Sequence, residues 1–328
     1  MRIVFAISRA ASVDETWTTV HLAREALDRG GQVRFVEPWD FEIDPNGRVI
    51  ARAHAFDAPV SAERMAQQLV QRTATRKYVD LERTDLMLIR AAPLDLQVIT
   101  FATLARQVGV RVVNDPDGLL RVSHKAWLSS LPGVDTPPSV VTRSRASAHV
   151  FYADEREGVV VKPARGSGGR QISHVPPGSA QALDEAFDAA REVGDGYVVV
   201  QRYLPAAEDG EKRLVWLDGA VVGGYLRRRA PGDFRHNLKR GGQAEPTEIT
   251  ATDHELAAQL GPHLQRAGIR LAGLDVIGRH VTEVNALNPG GAFHADRLNG
   301  TRLSALILDR LTHRRRAHRS RPWAAHAP

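Results

Sequence analysis

Residues 271–285 constrain this chain more than any other stretch. An apolar run, Leu271-Ala272-Gly273-Leu274, ends in Asp275, turns at Gly278-Arg279 and resumes as Val281-Thr282-Glu283-Val284-Asn285. Side chains alternate across a strand, so Glu283 and Asn285 share a face. A Gly-Arg pair between two such runs is turn chemistry, and an antiparallel hairpin there brings Asp275 back beside Glu283 and Asn285. Three oxygen donors with no His or Cys suit a hard cation, especially Mg²⁺ carried on nucleotide phosphates. The competing reading is a solvated hairpin with its polar residues outward.

With 328 residues, two or three subdomains are expected rather than one small core. Hydrophobic content of 43% and charged content of 25% place the chain among ordinary globular proteins. No apolar run approaches the roughly 20 residues that span a bilayer, so no membrane partner is expected. Residues 1–8 lack the long apolar region and cleavage site of a signal peptide and read as a first strand. The absence of cysteine excludes disulfides, thiolate metal sites and a cysteine nucleophile, and fits a cytoplasmic location. The net charge of +6 tempts one toward nucleic acid, but five arginines and no acid lie in residues 313–328. The body is nearly neutral, the tail is expected to be disordered and solvated, and nucleic acid is not the expected partner.

The first third alternates strands and helices: strands at 3–7, 33–36, 85–90 and 110–114, and helices at 15–29 and 96–108. Residues 39–80 look polar and irregular, with a helix over 62–79. This β-α-β order implies a parallel sheet that binds ligands at its carboxyl end, where Arg90 and residues 8–14 lie. After the proline-rich break at 131–138, an α+β pattern follows. Its strands fall at 139–142, 158–162, 171–175, 197–204, 213–217 and 221–226, and its helices at 180–192 and 253–265.

Within that second part, Val159-Val160-Val161-Lys162 leads into Gly166-Ser167-Gly168-Gly169. Glycines let backbone N–H groups approach phosphate oxygens, and the lysine supplies charge. The lysine precedes the loop and a strand follows it, so this is not a Walker loop but a hairpin flap; a plain glycine-rich turn is the alternative. Gln201-Arg202-Tyr203-Leu204-Pro205 is a strand end that reads either as a hinge presenting backbone to an adenine, with Glu211 on the ribose, or as an ordinary core strand. Residues 227–242 are dense in cations, either a solvated loop or a cationic lid for phosphoryl transfer.

Taken in order, these motifs resemble the ATP-grasp superfamily and, within it, the prokaryotic glutathione synthetases. The likeness rests on Gln201-Arg202-Tyr203-Leu204-Pro205-Ala206 with Asp209-Gly210-Glu211-Lys212-Arg213, on Arg235-His236-Asn237-Leu238 with Gly241-Gly242, and on residues 273–278 with 282–285. Val112-Val113-Asn114 and His124-Lys125 add to it. The resemblance implies an ATP-grasp fold, α/β plus α+β, with an N-terminal parallel-sheet domain at 1–122. The two lobes fall at 123–204, with the flap, and 205–312, with the Mg²⁺ site, leaving the basic tail at 313–328. It implies Lys125, Lys162 and the loop Gly166, Ser167, Gly168 and Gly169 on the phosphates, and Gln201, Tyr203, Leu204 and Glu211 on the nucleoside. Asp275, Glu283 and Asn285 become ligands of two Mg²⁺ ions, with Mn²⁺ possible. Arg213, Arg228 or Arg229, Arg235 and Asn237 face the reacting phosphate, and a homo-oligomer is possible.

The acceptor half departs from the family pattern. Residues 286–296 replace a Thr-Ser-Pro-Thr type segment, and Arg90 lacks the charged residues that usually follow it. Arg90, Asn288, Gly290, Gly291 and His294 are the expected substrate contacts. The expected activity is an ATP-dependent carboxylate–amine ligase working through an acyl phosphate on another amino acid, dipeptide or peptide. The alternatives are true glutathione synthesis and a non-catalytic nucleotide-binding protein that docks a partner.

Overall fold

The structure is a computed structural model that describes residues 1–166, 170–238 and 241–313. Three sheets organise it.

The first sheet is built from β1 (Arg2–Ala6), β2 (Gln32–Val36), β3 (Phe41–Ile43), β4 (Val49–Phe56), β5 (Arg76–Asp80), β6 (Leu86–Ile89) and β7 (Arg111–Val113), with helices α1 (Thr18–Asp28), α2 (Ala62–Val70) and α3 (Leu96–Gln107). Its order is β3-β4-β2-β1-β6-β7, with β5 on β4. Strands β2, β1, β6 and β7 are parallel, and β1, β2 and β6 are almost wholly buried. Such burial is expected where helices cover both faces of a parallel sheet. The expectation for residues 39–80 needs correction: β3, β4 and β5 form an antiparallel extension, and the helix ends at Val70. Strand β4 turns Ala51, Ala53 and Ala55 inward, and alanine carries too weak a β signal to mark a strand.

The second sheet follows α4 (Pro116–Val122) and α5 (Lys125–Ser129). It comprises β8 (Ser139–Thr142), β9 (Val159–Pro163), β10 (Ser173–Val175) and β11 (Val198–Arg202) in the antiparallel order β10-β9-β11-β8. Helices α6 (Arg145–Ala153) and α7 (Ala180–Arg191) cover it, burying Tyr152, Leu183 and Phe187 against Val159, Val161, Val198 and Val200. The β9–β10 pair is the hairpin expected around the glycine-rich loop. Ser167, Gly168 and Gly169 of that loop lie outside the described residues.

The third sheet holds β12 (Glu211–Leu217), β13 (Ala220–Arg228), β14 (Gln243–Glu245), β15 (Leu271–Ile277) and β16 (His280–Asn285), in the antiparallel order β14-β13-β12-β15-β16. Helix α8 (Ala251–Arg266) starts at a reciprocal Thr250–Asp253 capping box and packs Leu256, Leu260 and Leu264 in one core with Trp216. Helices α9 (Ala292–Asn299) and α10 (Leu303–Thr312) return the chain to the first unit, where Leu303, Ile307 and Leu308 share a core with Val20 and Leu27.

Two contacts weld the first and third units. Asn114 is 2% exposed; its Nδ2 donates to the carbonyls of Leu271 and Ala286, and its Oδ1 accepts from the N–H groups of Arg270 and Leu271, all at 2.8–3.0 Å. Gly118 lets α4 approach the end of α8 so closely that an added Cβ would stand 1.8 Å from the Ala267 carbonyl oxygen. Among the described residues no helix is long and apolar enough to cross a membrane. Residues 314–328, the expected disordered tail, lie outside the description.

Candidate active site

The third sheet places a charged cluster on one face. Its register sets Glu211 opposite Arg227, Arg213 opposite both Tyr225 and Asp275, Asp275 opposite Glu283, and Gly273 opposite Asn285. Cross-strand partners project to the same side, so the hairpin at Gly278 unites Asp275, Glu283 and Asn285 as its sequence implies.

Asp275 is buried, and its carboxylate accepts from Arg213 Nε at 2.5 Å, from Arg213 Nη2 at 2.9 Å and from Asn285 Nδ2 at 3.1 Å, with Arg227 Nη2 2.7 Å away. Burial alone would raise its pKa, but the two guanidiniums prevail and hold it at about 2. Arg227 also donates to Glu211 at 2.6 Å. Burial nevertheless pushes Glu211 up to about 7, against the pull of Arg227 and with the neighbouring Asp275 charge adding to the rise.

This face looks across a cleft of about 1270 Å³ onto the second sheet. Lys162, 7% exposed, donates to Gln201 Oε1 at 3.0 Å and to the Thr282 carbonyl at 3.3 Å. Burial draws its ammonium down to about 8, helped by the repulsion of Lys125 and opposed by Glu283. Lys125 donates to the Gly166 carbonyl at 3.1 Å and stands 3.3 Å from Glu283. Gly166, Gln201, Arg213 and Asn237 line the same cleft.

At the other end of the cleft, Arg90 is 3% exposed at the carboxyl end of β6. It donates from Nε to Thr19 Oγ1 and from Nη2 to the Pro289 carbonyl, both at 2.9 Å. Burial lowers it to about 9, which leaves it charged at neutral pH. Asn288, Gly290, Gly291 and His294 surround this end. Burial also lowers His294, so the ring favours its neutral form.

Other expected residues point elsewhere. Arg228 pairs with Glu245 and the Asp209 carbonyl, Arg229 with Glu208, and Arg235 with Asp233. The Tyr203 ring stacks on His174 at 4.2 Å and its hydroxyl donates to Glu208, while Leu204 caps the turn that follows. None of these five lines the cleft, whereas Arg227 does. Alternation along β13 is the cause: Arg227 shares the face of Tyr225, and Arg228 takes the opposite one. Strand parity from Tyr225 was the available signal, and three consecutive arginines concealed it. Tyr225 and Asp195, also on the cleft, carried no sequence signal.

The oxygen-only donor set of Asp275, Glu283 and Asn285 fits a hard divalent ion. Among the described residues no three His, Cys, Asp or Glu side chains cluster to hold a metal by themselves. Two carboxylates and an amide suit an ion that arrives partly coordinated by nucleotide phosphates.

Residues 1–120 match the N-terminal domain of prokaryotic glutathione synthetases, and residues 124–300 match their ATP-grasp domain. The chain is 31% identical over 306 residues to the glutathione synthetase of Pseudomonas syringae pv. tomato, covering 91% of this chain and 88% of that protein. It is 34% identical over 275 residues to the glutathione synthetase of Escherichia coli O127:H6, covering 81% and 83%. In fold it is similar to the D-cycloserine synthetase DcsG, with a TM-score of 0.66 at 16% identity over 94% of this chain and 98% of the other. It is also similar to the VanG D-Ala:D-Ser ligase of Enterococcus faecalis, with a TM-score of 0.64 at 16% identity over 94% and 98%. With the fold and the domain matches in agreement, the chain belongs to the prokaryotic glutathione synthetase family of ATP-grasp proteins and is an ATP-dependent, ADP-forming carboxylate–amine ligase.

Proposed function

We propose that this ligase joins an amino-acid or short-peptide carboxylate to an amine, that Arg90 holds a carboxylate of the substrate, and that ATP is used with two Mg²⁺ ions. The observation that carries the substrate class is Arg90 itself. Its guanidinium is buried, keeps its charge, lines the cleft and has no carboxylate partner among the described residues. A buried charge without a counter-ion is costly, and a substrate anion supplies one in bidentate geometry.

The chemistry is amide formation. The substrate carboxylate attacks the γ-phosphorus of ATP, ADP leaves, and an amine then attacks the acyl phosphate and expels phosphate. Lys125 and Lys162 bind phosphate oxygens, and Arg213 and Arg227 offset charge on the transferring group. Asp275, Glu283 and Asn285 would hold the divalent metal, which when bound neutralises phosphate charge. His294, neutral at pH 7, accepts the proton that the amine loses. A second reading, γ-glutamylcysteine joined to glycine, is favoured by the glutathione synthetases at 31–34% identity.

The test is ATP turnover to ADP and phosphate with Mg²⁺, and separately with Mn²⁺, across amino acids and dipeptides, with products read by mass. An amide other than glutathione supports the first reading, and glutathione itself the second. If ATP binds but no acid–amine pair is joined, both fail.

A further inference from the structure

The turn between α7 and β11 carries a carboxylate with no role in the reaction described above. His124 Nε2 stands 3.0 Å from Asp195 Oδ2, which also accepts from Arg165 Nε at 3.2 Å, and Asp195 Oδ1 accepts the Tyr197 N–H at 3.2 Å. His124 Nδ1 accepts the Ala126 N–H at 3.1 Å as it caps α5. A nitrogen that accepts carries no proton, so the proton of the neutral ring sits on Nε2 and faces Asp195.

The same two segments meet again through three further hydrogen bonds. The Lys125 N–H donates to the Ala164 carbonyl at 3.0 Å, its ammonium donates to the Gly166 carbonyl, and Arg165 Nη1 donates to Ser123 Oγ at 3.2 Å. Residues 123–125, 164–166 and Asp195 therefore close one ring of contacts. Gly194 makes the approach possible: its φ is +77°, and an added Cβ would stand 2.9 Å from the Arg165 carbonyl oxygen.

We propose that Asp195 is a positioning residue for ATP. By holding His124 and Arg165 on one carboxylate, it fixes Lys125 against the stem of the glycine-rich loop. The inference rests on the reading of Lys125 as a phosphate ligand.

The test measures ATP affinity by calorimetry, in Mg²⁺, on the full chain and on the Asp195→Asn, Lys125→Met and double variants. An asparagine amide set toward the N–H groups of His124 and Arg165 places donor against donor. Asp195→Asn is expected to weaken ATP roughly tenfold, the scale of one charge-assisted hydrogen bond. In the Lys125→Met background the same change adds less than about twofold, because the effect passes through Lys125. Equal weakening in both backgrounds marks a general structural role and overturns the proposal, as does wild-type affinity in Asp195→Asn. A wild-type chain that fails to bind ATP overturns the phosphate reading instead. If Asp195→Asn does not fold, His124→Gln serves: a loss dependent on Lys125 supports the proposal, and an additive or absent loss overturns it.

Discussion

Lys162 is buried, and burial favours its neutral form, while phosphate binding requires the charged one. Its folded pKa of about 8 lies below the ordinary 10.5. Its burial therefore lowers stability fully below about 8, and the penalty fades as the pH rises toward 10.5. ATP reverses the preference by adding anionic charge. ATP affinity is thus expected to be level below pH 8 and to fall by up to about tenfold per unit above it, read by calorimetry across pH 7–9.5. Lys162→Met binds more weakly and should abolish that pH dependence. At Glu283, Glu283→Gln keeps shape and removes charge, so turnover is expected to vanish while ATP still binds weakly through Lys162. Full activity in that variant removes Glu283 from the metal site.

Strand β13 shows how an element converts sequence into direction. Three consecutive arginines are indistinguishable by composition, yet alternation sends Arg227 to Glu211 and Asp275 and Arg228 to Glu245. Arg227→Lys keeps the charge but loses the planar fork, and kcat is expected to fall about a hundredfold. Arg228→Lys disturbs an exposed pair with Glu245 and one bond to the Asp209 carbonyl, away from the cleft, and should change kcat less than about threefold. Equal losses in steady-state kinetics would contradict the register. The element scale also explains which strands were legible. The valine-rich β9 and β11 and the hairpin at Gly278 announce themselves, whereas β4, alanine-lined, and β5, with Lys77 and Tyr78 exposed, do not.

Across the whole molecule, a few buried polar groups join units that fold around separate sheets. Asn114 is the clearest, with four hydrogen bonds to chain segments at both ends of the β15–β16 hairpin. Asn114→Ala orphans two N–H groups and two carbonyls, and a loss of roughly 4 kcal/mol is expected, with a fall in Tm of roughly 6 °C by calorimetry. Asn114→Asp keeps the acceptor half but sets a buried carboxylate oxygen against the Leu271 and Ala286 carbonyls, so its loss should match or exceed that of the alanine variant.

The alternating patterns, the glycine turns and the oxygen-only hairpin by themselves indicated a parallel α/β unit, an α+β unit after it and a hairpin suited to a hard cation, while the class of chemistry came from the resemblance that the ordered motifs carry. Those signals are local: strand parity, turn residues and donor type are all readable within a dozen positions. Tertiary structure alone decided that Arg227 rather than Arg228 or Arg229 faces Asp275, that Arg90 is buried without a counter-ion among the described residues, and that Asp195 reaches both His124 and Arg165. Each depends on sheet register or on the meeting of segments distant in the chain, and no local propensity encodes those.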